Sequence, residues 1–561
     1  MAATAWATRA VRSPVWLALP LAAAVAGLLA WGQPGWARTA AGLLLGVAVA
    51  HQVLLLALAW STGRRAGHWI RLPSAVLLAL GLAAWWWAHR TDQPWSLIAA
   101  VVGLATVLWL VRGLPAVAAN ELHARHLPGA PTDPAPRPRW AYGWVSVVFV
   151  ALLVLGFVGG ALGAPGWVLL VLVVPAGAAL AVVAAGYRVI AQHTAQVRAA
   201  LRTLGPVLVM PYNGRAGFHV GMWSPYLERT GLPVMVVTTE AVSFDKISRA
   251  YGLPIVHAPS GAPSAVGSLF GPTVRAAFYV YNGGNRPFLA QRSATHVFLQ
   301  HGDSDKHTSA KAVTASYDVI VVAGQAAIDR FAATEIDIPA AKFAILGRPQ
   351  TAEIATVTRP IAEVDQPTVV YAPTWRGGSG AADYCSLPVG PAIVAGLLAR
   401  GARVVFRPHP AGQKHPPHAR AIKQIKQLLA ADAKTSGRRH LWGRKAESPT
   451  VAEVSNLADA MVADVSGIVT DFMQSLKPYA MVAMAGDTED FRARFPTAVG
   501  AYVIQADLST LDAALDYLLG PDPLAPVRAE RRRYYLGGFD GDESPRAFVD
   551  FVRRLAEPAT R

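Results

Sequence analysis

The chain has 561 residues, 53% of them hydrophobic, with a positive mean hydropathy and a formal charge of +16. It is too long for one domain and too apolar for an ordinary soluble protein, and the basic balance suits nucleic acid, a membrane surface or an anionic substrate. Its single cysteine, Cys385, excludes an intrachain disulfide and a cysteine-rich metal cluster.

The apolar residues concentrate at the front, in six runs at roughly 14–31, 39–60, 72–88, 94–111, 143–163 and 165–187. Each approaches the ~20 residues a helix needs to cross a bilayer, and none contains Lys, Arg, Asp or Glu. Trp31, Trp60, Trp95, Trp109, Trp144 and Trp167 lie near run ends, where amphipathic rings favour the interface. A cleaved signal peptide would account for the first run only.

Arginine placement sets the orientation. Arg9, Arg12, Arg64, Arg65, Arg71, Arg112, Arg125, Arg137, Arg139 and Arg188 fall on one side, against Arg38 and Arg90 on the other. The predicted organisation is therefore a six-helix transmembrane domain over 1–188, with the N-terminus and everything after 188 cytoplasmic. His51 is the only imidazole within the runs, which argues against a proton-coupled transporter. The bundle reads as an anchor, and the Pro-rich stretch within 113–143 reads as a cytoplasmic loop.

From about 189 the pattern changes to short β-branched runs alternating with Ala- and Leu-rich stretches. Strands are predicted at 206–210, 233–239, 276–281, 295–300, 317–324 and 342–347. After a polar break near 357–366 they follow at 368–373, 402–407, 459–464, 479–484 and 501–504. Such runs imply parallel sheets covered on both faces, and the length implies two α/β lobes, at 189–360 and 361–561.

Open parallel sheets bind ligands at the carboxyl ends of their strands, and four predicted strand ends carry chemistry. Gln300-His301-Gly302-Asp303 follows one strand. Thr374, Trp375 and Arg376 follow another, in YAPTWRGG. Arg407 and His409 follow a third, in FRPHPAG. Asp464-Val465-Ser466-Gly467 ends a fourth, with a helix expected to begin near Gly467. Backbone N–H groups at such a turn suit a phosphate. Each element alone has an ordinary structural reading: Ser466 or Asp464 as a helix cap, RPHP as a rigid turn. Their joint occurrence at strand ends makes the anion site, with a histidine as possible base. The pair Asp303-Ser304-Asp305 matches a D-x-D cation motif, but a three-residue match is weak, and we read it as a solvated turn or acceptor-contact loop, with no metal. The run Arg531-Arg532-Arg533 reads as a solvated helix face that could lie against anionic headgroups.

His301-Gly302 with Lys306, then Tyr371-Ala372-Pro373-Thr374-Trp375-Arg376, then Arg407-Pro408-His409-Pro410, then Asp464, Ser466, Asp471-Phe472 and Lys477-Pro478 follow one another in an order that resembles the CDP-glycerol glycerophosphotransferase family, the teichoic-acid primases and polymerases. The likeness covers roughly 200–550 and not the apolar runs. It implies a GT-B-like pair of Rossmann-like lobes behind an added α-helical transmembrane bundle. It also implies transfer of glycerol phosphate from CDP-glycerol, or a similar CDP-polyol, to a hydroxyl of a lipid-linked or envelope polymer, with release of CMP. By resemblance His301 is the base on the acceptor hydroxyl and His409 faces the donor diphosphate. Thr374, Arg376, Arg407, Ser466 and Gly467 hold phosphates or shape their pocket, and Asp303, Asp464 and Asp471 support them. No cofactor or metal is implied. The expected location is a bacterial-type membrane with catalysis in the cytoplasm and membrane lipids as neighbours. The sequence departs from the family at Asp303-Ser304-Asp305, Val465, Gly467 and Gln350, which leaves donor and acceptor open. A nucleotide-sugar glycosyltransferase or a non-enzymatic envelope scaffold are the rival readings. Nucleic-acid binding is not expected, since no recognised motif accompanies the charge.

Overall fold

The computed structural model describes residues 35–36, 39–40, 43–44, 47, 120–131 and 167–557, except 215, 303, 306–311, 335 and 377–383. Five of the six apolar runs thus lie outside the described residues, apart from short pieces of the second. The sixth falls on the 38-residue helix Trp167–Leu204. Among the described residues no helix is long and apolar enough to cross a membrane.

The strands are, in chain order, β1 (His123–Arg125), β2 (Leu208–Pro211), β3 (Val234–Thr238), β4 (Ile255–His257), β5 (Ala276–Tyr279), β6 (Thr295–Phe298), β7 (Val319–Val322), β8 (Phe343–Ile345), β9 (Thr368–Ala372), β10 (Arg403–Phe406), β11 (Ala460–Ala463), β12 (Tyr479–Ala483) and β13 (Tyr502–Gln505). The chain divides into two compact units, Met1–Thr203 with Val256–Ser268, and Leu204–Ile255 with Leu269–Arg561.

In the first unit β1 lies beside β4. The long helix buries Ile190, His193, Thr194, Val197, Ala200 and Leu201. That spacing of three and four gives one buried stripe along the helix. Thr194 Oγ1 accepts from Leu122 N at 3.3 Å, tying the stripe to the chain before β1.

The second unit holds two parallel sheets. The first runs β3-β2-β5-β6-β7-β8 and the second β10-β9-β11-β12-β13. Their strands are buried almost throughout, as unbroken apolar runs require. This is a GT-B-like α/β architecture. In each sheet the strand order reverses once, between β2 and β5 and between β9 and β11. A crevice opens at such a point beyond the strand ends.

The last helix, Glu543–Ala556, departs from a simple division of the chain at 360. Its Phe548 and Val552 pack with Trp223, Val236 and Phe278 in the core of the first sheet. Ser544 Oγ donates to Leu346 O at 2.8 Å. The approach is possible because position 347 is glycine: its φ is 72°, and a Cβ there would meet Phe539 and Ser544 at 2.7 Å. The Arg531–Arg533 run is only partly a solvated face. Arg532 is buried, and it donates to Phe539 O at 2.9 Å and pairs with Asp540.

Candidate active site

In the first lobe the loops after β2 and β5 meet at the reversal point, where Asn213 Nδ2 donates to Gly284 O at 3.0 Å. His301, just past β6, joins them there. Its ring is exposed, and its Nδ1 lies 3.0 Å from Val280 O. A carbonyl can only accept, so Nδ1 carries the proton and the lone pair of the neutral ring sits on Nε2. Gln300, immediately before it, holds φ 61°, a conformation costly for a residue with a side chain. Trp223 Nε1 donates to Gln300 O at 2.7 Å and fixes that peptide.

Sequence reasoning missed His219. Its ring centroid lies 4.4 Å from that of His301, and its Nδ1 lies 3.0 Å from Tyr212 Oη. Tyr212 Oη also accepts from Gly217 N at 3.2 Å. Burial, reinforced by the neighbouring His301, lowers the pKa of His219 to about 4. A neutral imidazole therefore stands beside His301 at neutral pH. Tyr281 stacks on His219 at 6.1 Å.

In the second lobe most of the residues singled out in the sequence gather at the ends of β9, β10 and β11. Asp464, wholly buried, accepts from Thr374 N at 2.7 Å and Ser386 N at 3.1 Å. It thus organises both sides of the reversal point rather than meeting solvent. The helix Gly467–Phe472 begins where expected, with Ser466 at its N-cap, yet the Ser466 side chain makes no capping bond. Ser466 Oγ is buried with no hydrogen-bond partner among the described residues.

His409 is exposed at the start of the turn Pro410–Lys414, and its Nδ1 accepts from Ala411 N at 3.1 Å. The neutral ring therefore carries its proton on Nε2, the reverse of His301. Trp375, 39% exposed, stacks on it at 5.8 Å. Arg376 Nη1 donates to His415 Nε2 at 3.3 Å, another residue the sequence did not single out. Arg407 is turned to Ala446 O, and burial lowers its pKa despite Glu447 nearby.

Asp471 does not face this group. It forms a buried two-pronged ion pair with Arg348 of the first lobe, which gives it a structural role. Lys477 likewise serves the fold: its Nζ donates to Ser455 O at 2.9 Å and Ala458 O at 2.6 Å, carbonyls at the end of the helix Val451–Leu457. Asp303 lies outside the described residues. Asp305 is not part of a solvated turn, since its side chain is 6% exposed. Among the described residues no group of three or more His, Cys, Asp or Glu is placed to hold a metal ion.

Residues 273–500 match the family described as CDP-Glycerol:Poly(glycerophosphate) glycerophosphotransferase. That span takes in His301, Thr374, Arg376, Arg407, His409, Asp464 and Ser466. The chain is a CDP-glycerol glycerophosphotransferase-like enzyme. No curated protein matches it. Among solved structures it is similar to a putative UDP-N-acetylglucosamine 2-epimerase from Listeria monocytogenes, at 13% identity and TM-score 0.43, over 63% of this chain and 98% of that one. It is similar to the wall teichoic acid polymerase TagF with CDPG at 10% identity and TM-score 0.38, over 63% and 89%. HepE from Anabaena, in complex with UDP and glucose, gives 10% identity and TM-score 0.39, over 62% and 99%. These likenesses are loose, and the fold rests on the chain's own two parallel sheets.

Proposed function

We propose that this protein moves glycerol phosphate, or a related polyol phosphate, from CDP-glycerol to a hydroxyl of a lipid-linked or cell-envelope polymer and releases CMP. The observation that carries the reading is the hydrogen bond from His301 Nδ1 to Val280 O, which puts the basic lone pair on Nε2. The acceptor O–H gives its proton to that nitrogen as its oxygen attacks the phosphorus bearing glycerol. The bond from that phosphorus to the bridging oxygen breaks, and its electron pair leaves on CMP. His409 supplies an Nε2–H toward the diphosphate, and Arg376, Thr374 and the turn at Ser466 and Gly467 neutralise and hold it. Arg407 and Asp464 shape this pocket from behind.

The six apolar runs and the one-sided arginines support a membrane anchor for this chemistry, with the catalytic lobes on the cytoplasmic side and membrane lipids beside them. The test is donor competition on the full-length protein in detergent. Unlabelled CDP-glycerol should suppress release of labelled CMP, and UDP- or GDP-sugars should not. Nucleotide release from a sugar donor alone would make the protein a glycosyltransferase instead.

A further inference from the structure

Resting on that transferase reading, we propose that Asp305 is a positioning residue: it fastens the loop carrying His301 to the second lobe, so that the base takes its working place only when the two lobes are joined. Asp305 follows His301 by four residues and belongs to the first lobe. Its main partners belong to the second. Its Oδ2 accepts from Thr497 N at 2.9 Å and from Thr497 Oγ1 at 2.8 Å. Tyr535 Oη donates to Oδ1 at 2.9 Å. Thr497 lies between β12 and β13, and Tyr535 on the helix Ala525–Leu536. Among the described residues of its own lobe Arg330 reaches it, at 3.5 Å, while also donating to Ser304 O at 3.0 Å.

A buried carboxylate with its lone pairs engaged by N–H and O–H donors is a structural anchor rather than a cation ligand. The described residues of this loop, from 300 to 305 without 303, are thus held on both sides. Trp223 Nε1 holds Gln300 O on the first-lobe side, and Asp305 holds the other end on the second lobe. Between these pins sit the unfavourable backbone of Gln300 and the His301–Val280 bond. Strain of this kind persists only where the surroundings fix it. The same sequence feature that suggests a D-x-D cation site is, at Asp305, the second of those pins.

The experiment compares full-length wild type, Asp305→Asn, Tyr535→Phe and Thr497→Ser in detergent. It measures kcat and KM for CDP-glycerol and amide hydrogen exchange over 298–305. In Asp305→Asn the new NH2 faces donors. Misplacement of a reacting group by about 1 Å costs on the order of 100-fold, so kcat should fall on the order of 10–100-fold with donor KM nearly unchanged, and the loop amides should exchange faster. Tyr535→Phe removes one hydroxyl and keeps the ring, and should move both readouts the same way, less far. Thr497→Ser keeps both donors and should match wild type. Wild-type kcat and exchange in Asp305→Asn would overturn the proposal. So would activity that needs added Mg2+ or Mn2+ and loses that need in Asp305→Asn. If wild type releases no CMP, the transferase reading falls, while the exchange comparison still decides whether Asp305 pins the loop.

Discussion

The Arg348–Asp471 pair joins the two lobes in a buried setting, with side chains 7% and 11% exposed. Removing one partner leaves a charge in a medium that solvates it poorly. Such single losses cost about 3–5 kcal/mol, whereas replacing both partners by apolar side chains of similar size is often close to neutral. Arg348→Met and Asp471→Leu should therefore each destabilise by about 3–5 kcal/mol, and the double variant should be more stable than either single one. At about 2–4 °C per kcal/mol for lobes of this size, each single variant should lower the apparent Tm on the order of 10 °C. A double-mutant cycle by urea unfolding, with calorimetry alongside, reads the coupling directly. Additive losses in the double variant would refute the reasoning and place the two side chains in separate, solvated surroundings.

Further outcomes follow from single sites. The folded protein holds His219 near pKa 4, against an ordinary 6.5. The unfolded chain therefore takes up a proton between pH 6.5 and 4 that the folded chain does not, and stability falls as pH falls through that window. Urea midpoints at pH 7 and pH 4.5 should differ less in His219→Gln than in wild type; an identical difference in both would contradict the burial argument. Gly347→Ala places a Cβ 2.7 Å from Phe539 and Ser544 at φ 72°. It should cost at least about 1–2 kcal/mol of stability, and an unchanged unfolding midpoint would rule out the close packing of the last helix there.

Much of this architecture was legible in the sequence for a physical reason. Strands buried on both faces must be continuous apolar runs, and β2, β3 and β5 to β13 each fall on or overlap a predicted strand. The missed strands, β1 and β4, read His-Ala-Arg and Ile-Val-His, with polar side chains that break any apolar run, whereas the equally short β8 lies within a longer one. The rule that polar residues past strand ends form the site placed Thr374, Arg376, His409, Asp464 and Ser466 together. The rule did not reach the segment after β2, where His219 sits, because a helix of four residues gives no periodic signal to draw attention to it. Asp305 was legible as a residue and not as a contact, because Thr497 and Tyr535 lie 192 and 230 positions further along the chain. Asp471 is a similar case, since its partner Arg348 lies 123 positions before it.

The most direct measurement is CMP release by the purified full-length protein, with CDP-glycerol as donor and a membrane extract as acceptor, for wild type beside His301→Ala. If His301 is the base, wild type releases CMP only when acceptor is present, and the variant still binds CDP-glycerol but loses on the order of 100–10,000-fold in turnover. Near-normal turnover in His301→Ala would contradict the assignment of the base, and with it the chemistry built on the Val280 hydrogen bond.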